Sequence, residues 1–141
     1  MMRRKSLVAA AVALVLMFSM FSSVFAASST VVIPNLNYFV QHSLKNDDTV
    51  TFKYTNPQAV NQTAIFRITN VGPLDTATDQ VAGKLNVQYS LVYANGSTVS
   101  LGSGTSLSGG ISLAPNASLV VKVKNVNTNS QVGFKIRFDN Q

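Results

Sequence analysis

The sequence has 141 residues, of which Met1 to Ala26 read as an export signal, leaving 115 for the folded product. That length fits one domain able to bury roughly two-thirds of its unfolded surface, so a hydrophobic core needs no disulfide or metal. Cysteine is absent, which excludes thiol catalysis, cysteine-ligated zinc, iron–sulfur clusters and a disulfide framework, and the part after Ala26 also lacks Trp, Met and Glu.

The net charge of the whole chain is +6, but Arg3, Arg4 and Lys5 carry three of those positives. Eight Lys/Arg against five Asp remain, a net of +3. This balance favours anionic partners such as cell-wall polymers and falls short of a nucleic-acid footprint. Residues 1–26 show a basic start, the apolar run Leu7 to Phe18 and small residues at Val24 and Ala26, the pattern of a cleaved signal peptide. The run is shorter than the ~18 to 20 apolar residues of a membrane span, so none is expected in the mature chain. The product is expected to be secreted, extracellular or associated with the cell surface.

Beyond Ala26 the apolar residues alternate with polar ones, and no stripe at helical spacing persists. Val31 to Val40 is irregular, with Pro34 removing a ladder donor, and reads as an edge strand. Val50, Phe52 and Tyr54 form one face of a strand, and Ala64, Phe66 and Ile68 form the next. Asn70 to Gly83 is polar and reads as a loop. Leu85, Val87, Tyr89, Leu91 and Tyr93 make the longest ladder, which stops at Asn95-Gly96. That dipeptide tolerates positive φ at both central positions, predicting a tight hairpin that returns through Val99 and Leu101. The Gly/Ser-rich stretch Gly102 to Gly110 reads as a mobile loop, and Leu107, Ile111 and Leu113 as a short strand ended by Pro115-Asn116. Leu119, Val121 and Val123, then Val132, Phe134, Ile136 and Phe138, predict a second hairpin across the connector Asn125 to Gln131. Seven or eight strands with one apolar face each need a second sheet to cover them. The expected fold is therefore all-β, an antiparallel two-sheet β-sandwich of immunoglobulin-like or jelly-roll type, spanning 27–141 as a single domain.

Catalytic chemistry is poorly supplied. His42 is the only histidine, no Gly-x-Ser-x-Gly elbow accompanies it, and twelve serines after Ala26 leave no basis for choosing a nucleophile. No catalytic residue, cofactor site or metal site is assigned, and no enzymatic activity is expected. The run Gly102-Ser103-Gly104-Thr105-Ser106 meets neither nucleotide-binding pattern. Asp75 and Asp79, with Asn70 nearby, offer oxygen atoms to calcium without a recognised loop spacing. Three of the four tyrosines after Ala26 fall on apolar ladders and are expected to pack in the core. The more specific signal is cationic. Alternation sends Lys122, Lys124, Lys135 and Arg137 to the polar side of the last two strands, and a hairpin would join them into one basic stripe. Such a stripe either binds an anionic polymer or discourages edge pairing. The apolar, β-branched segment Ser28 to Ile33 could instead add to the sheet edge of a neighbouring molecule. The reading is a non-enzymatic structural or adhesive protein of the cell envelope or extracellular matrix, self-associating through edge strands into oligomers or fibres. A monomeric binding module for an anionic or glycan surface polymer is the alternative.

Overall fold

The computed structural model describes residues 26–141, so the expected signal peptide lies outside the described residues apart from Ala26. Ten strands follow in order: β1 (Ser28–Ile33), β2 (Tyr38–Leu44), β3 (Thr49–Thr55), β4 (Gln62–Asp75), β5 (Gln80–Val81), β6 (Val87–Val92), β7 (Thr98–Gly104), β8 (Leu107–Leu113), β9 (Ser118–Lys124) and β10 (Val132–Asn140). They form two sheets. Sheet I has the order β1-β3-β9-β6-β7; sheet II has β2-β10-β4, with β8 and the short β5 both pairing β4.

Eight of these strands pair as a nested series, all antiparallel: β2 with β10, β3 with β9, β4 with β8, and β6 with β7. A long ribbon folded over on itself gives this order, so the sandwich is a jelly roll rather than an immunoglobulin-type arrangement. β1 stands outside the series and pairs β3 in parallel. The core follows from period-two alternation. Val50, Phe52 and Tyr54 of β3 and Leu119, Val121 and Val123 of β9 face Phe66 and Ile68 of β4 and Phe134, Ile136 and Phe138 of β10. Phe52 meets Phe134 edge-on at 6.1 Å, a favourable aromatic geometry that locks the two sheets together.

Several expected boundaries shift. Val31 to Val40 is two strands, because Pro34 ends β1 and the chain crosses to the other sheet before β2 begins. Asn70 to Gly83 is largely ordered into the end of β4 and β5, with Val71 buried. The glycine-rich stretch is also strand. Gly109 lies within β8 beneath the Phe66 ring, where a Cβ would come 2.8 Å from Phe66 Cζ, so its missing side chain is a packing requirement. The Asn95-Gly96 hairpin forms, but only Gly96 has positive φ, at 82°. Gly96 N donates to Tyr93 O and Tyr93 N donates to Ser97 O, which describes a three-residue loop with a glycine bulge. Most consequentially, β9 and β10 are not a hairpin. The connector after β9 carries the chain across the core, and the two apolar faces meet each other rather than lying side by side. Alternation is identical in both arrangements.

Candidate functional site

The position of β9 and β10 in opposite sheets divides the expected stripe. Lys122 and Lys124 lie on the outer face of sheet I, and Lys135 and Arg137 on the outer face of sheet II. The single four-cation stripe is therefore corrected to two separate cationic faces. Each half gains a neighbour that sequence spacing did not connect to it. On sheet I, Lys53 lies on β3 beside β9, two residues along from the Thr51–Lys122 pair and on the same face. On sheet II, Arg67 of β4 sits directly opposite Arg137.

The two faces differ in chemistry. Around the sheet I lysines are hydroxyls: Thr51 is opposite Lys122, Ser90 is on its other side, and Thr55 shares a 2.7 Å hydrogen bond with Ser118. No strand of sheet I carries an acid. On sheet II a straight row crosses four strands in register: Phe39 of β2, Arg137 of β10, Arg67 of β4 and Ser108 of β8. Arg137 Nε donates to Asp139 Oδ1 at 2.7 Å. Phe39 points outward and is 58% exposed, a large aromatic surface left against solvent.

A wall bounds this second face. Gly72 and Gly133 are register partners on β4 and β10, and the chain from Pro73 through Gly83 folds back over them. A Cβ on Gly133 would lie 2.8 Å from Val81 Cγ2 and 3.0 Å from Leu74 Cδ1, so the flap rests on bare backbone. Gln41 Nε2 donates to Asp79 O at 3.2 Å and ties the tip of the flap to β2. The open part of the face, with its two arginines and Phe39, begins beside that wall. Neither glycine carried a sequence signal beyond its identity.

His42 faces inward, edge-on to Phe52 at 5.7 Å and tilted against Phe134 at 5.8 Å, and this half-buried setting lowers its pKa by desolvation. Asp75 Oδ1 accepts from Ala77 N at 2.9 Å, and that bond, with help from Thr78, holds its carboxyl below the usual range. Among the described residues no three His, Cys, Asp or Glu side chains gather as metal ligands. Tyr54 and Tyr89 are buried, whereas Tyr93, expected in the core, is 47% exposed at the rim. It borders an open hollow of about 640 Å³ shared with Lys53, Ile111 and Val120. A second hollow, of about 510 Å³, is lined by Val60, by polar side chains between Gln58 and Thr63 and by the last two residues.

The outer edge of β1 is the other exposed feature. β1 is the terminal strand of sheet I, and its far side has no strand neighbour among the described residues. Ile33 is buried at the level of Tyr54, Val31 is half-buried beside Phe52, and Val32 is 69% exposed on the outer face.

No family model matches the chain, and no curated protein matches its sequence. Among solved structures, it is similar to PliG of Aeromonas hydrophila, a periplasmic inhibitor of g-type lysozyme. The two share 14% identity over 82% of this chain and 99% of that one, with a TM-score of 0.51. It is also similar to the pre-peptidase C-terminal domain of a collagenase from Bacillus anthracis. There the identity is 11% over 81% of this chain and 96% of that one, with a TM-score of 0.49. At such identity the likeness concerns the fold alone.

Proposed function

We propose that this chain is an exported, non-enzymatic structural protein of the cell envelope or extracellular matrix, which joins copies of itself by exchanging β1. The observation that carries the reading is topological. The eight nested strands form a complete jelly roll, and β1 is an addition to it, whose one strand partner among the described residues is β3, paired in parallel. Parallel pairing is slightly weaker per residue than antiparallel pairing. A β1 segment from a second copy would find the same backbone partners from Thr49 to Tyr54 and the same seats for Val31 and Ile33, so exchange conserves nearly every contact. The hinge is local. Pro34 lacks an N–H, and Asn37 sits in the left-handed region with φ of 70°, so the crossing between sheets is concentrated in Pro34 to Asn37.

Each copy has one donor strand and one acceptor edge, so reciprocal exchange closes a dimer, and exchange passed on from copy to copy generates rings or open fibres. Export is supported by the signal-like residues 1–26, and the periplasmic setting of PliG accords with it. The inward, aromatic environment of His42 supports a role in contact rather than catalysis.

The sequence contains no cysteine, so a clean test is available. Thr30 and Thr51 are register partners on the outer face. The double variant Thr30→Cys/Thr51→Cys, oxidised while dilute, locks β1 in its own molecule. Wild type and the reduced variant should grow with concentration in light scattering and electron microscopy, while the oxidised variant stays monomeric. Oxidation at high concentration should give disulfide-linked ladders on non-reducing gels. A wild-type protein that stays monomeric at every concentration, or a locked variant that assembles equally well, overturns the proposal.

A further inference from the structure

Arg67 and Arg137 are direct cross-strand partners on the outer face of sheet II. At such positions Cβ atoms are about 5 Å apart, and like charges there oppose folding. The compensation on this face is partial. Asp139 engages Arg137 through Nε, and neither terminal amino group of that guanidinium forms a hydrogen bond among the described residues. Arg67 forms no ion pair among the described residues, and neither does Lys135, two residues before Arg137 on the same face. Two guanidinium groups side by side against one carboxylate leave a focus of positive charge with several unengaged donors. A planar oxyanion accepts two parallel N–H bonds from one guanidinium, so a carboxylate placed between the arginines would relieve their repulsion.

The row extends this focus into a track. Phe39 adjoins Arg137 on β2 and Ser108 adjoins Arg67 on β8, so aromatic face, cation, cation and hydroxyl follow one another over about 14 Å at ordinary strand spacing. The flap over Gly72 and Gly133 closes the face on one side and directs a bound chain along the row. A flat apolar ring beside paired guanidiniums matches a polymer that presents both a C–H-rich ring face and a carboxylate. A flexible polyol phosphate supplies the charge without the ring face. We propose that the outer face of sheet II binds an acidic polysaccharide, with a sugar ring packed on Phe39 and the adjoining carboxylate held by Arg137 and Arg67. This site contains no part of β1, so it stands or falls separately from strand exchange.

The test is calorimetric titration of the full chain after Ala26 with polygalacturonate, with polyglycerol phosphate and neutral dextran as comparisons, at low salt. Polygalacturonate should bind and dextran should not. Arg67→Gln should weaken binding about tenfold and Phe39→Ala about fivefold, whereas Lys122→Gln on the opposite face should leave it unchanged. All altered side chains point outward, and thermal melting of Arg67→Gln at or above the wild-type temperature separates binding from folding. The proposal is overturned if polygalacturonate does not bind, if Lys122→Gln costs as much as Arg67→Gln, or if polyglycerol phosphate binds equally and Phe39→Ala has no effect. The last pattern would identify general polyanion attraction.

Discussion

Asn56 and Asn125 occupy equivalent positions at opposite ends of the sandwich. Each is the residue immediately after a central strand of sheet I, β3 for Asn56 and β9 for Asn125, and these strands run antiparallel as neighbours. Both side chains are fully buried. Asn56 Nδ2 donates to Leu113 O, Ala114 O and Val60 O, and Asn125 Nδ2 donates to Leu44 O, Lys45 O and Ser130 O. In each case two successive carbonyls at the end of a sheet II strand and one carbonyl of the following loop share the same amide. Each Oδ1 also accepts from the backbone N–H two residues on, Gln58 or Asn127. The amides therefore stitch the two sheets together at both ends while shaping the loop that leaves each strand.

Removing either amide leaves buried carbonyls without donors. Asn56→Ala and Asn125→Ala are each expected to cost about 2 to 4 kcal/mol in urea unfolding. Asn125→Asp should be worse than Asn125→Ala at neutral pH, because a carboxylate would face three carbonyl oxygens and has no hydrogen to give. Burial would raise the folded-state pKa of the new acid above its unfolded value of about 4, so its stability deficit should shrink as pH falls through the folded-state pKa and stop changing below about 4, where both states are protonated. Equal urea midpoints for Asn125→Ala and wild type would rule out this clamp.

Period-two alternation was enough to read the strand faces, because burial on one side of a pleated strand leaves a direct mark on the sequence. It identified Phe52, Phe66, Tyr89, Phe134 and Phe138 as inward and Lys122, Lys124, Lys135 and Arg137 as belonging to the polar side. Alternation contains no information on which strand lies beside which. The seven residues from Asn125 to Gln131 suit a hairpin or a crossing, and what favours the crossing is the seat of Asn125 on the end of β2, some eighty residues earlier. The same gap hid Arg67 and Phe39, since their relation to Arg137 exists only once β2, β10 and β4 are aligned. Gly72 and Gly109 fall in stretches that read as loops, and Gly133 reads as an ordinary outward position of the last strand. Their value comes from what packs on them, and those partners are distant along the chain.

The flap makes a prediction of its own. A Cβ on Gly72 would come 2.4 Å from the backbone oxygen of Gly83, whereas one on Gly133 would meet mainly side-chain atoms of Val81 and Leu74. Side chains can rotate away more cheaply than a backbone carbonyl can move. Gly72→Ala should therefore cost about 1 to 3 kcal/mol and increase hydrogen exchange from Pro73 to Gly83, with Gly133→Ala milder in both respects. A larger effect of Gly133→Ala would show that the flap is not seated on Gly72.

Acid should weaken the fold through His42. Burial against Phe52 and Phe134 disfavours the imidazolium, so the folded-state pKa lies below the unfolded value of about 6.5. A depressed pKa means that the stabilising contribution is present above about 6.5 and is lost as pH falls through the folded-state value, because the unfolded chain then binds the proton first. Stability measured from pH 7.5 downward should show a decline beginning near 6.5. His42→Phe keeps an aromatic ring at the site and should remove that component of the decline. A wild-type profile that stays flat down to the carboxylate range would show that His42 is freely protonated in the folded state.

Alkali should act through Tyr89 with the opposite dependence. Its ring is buried between the sheets, its hydroxyl donates to Gly104 O at 3.3 Å, and burial pushes its pKa up to about 12. An unfolded tyrosine ionises near 10, so between about 10 and 12 the unfolded chain loses a proton that the folded chain keeps. Fewer bound protons in the unfolded state make stability fall as pH rises, by up to about tenfold in the unfolding equilibrium per pH unit for this one group. Below 10 both states hold the proton and the slope vanishes. Tyr89→Phe should lose about 1 kcal/mol or less at neutral pH, the worth of one long hydrogen bond, and show a shallower decline above pH 10 than wild type. Ultraviolet titration should register one phenol fewer above pH 11, since the missing group is the one that ionises late. An identical alkaline slope in the variant would place the late-titrating phenol elsewhere.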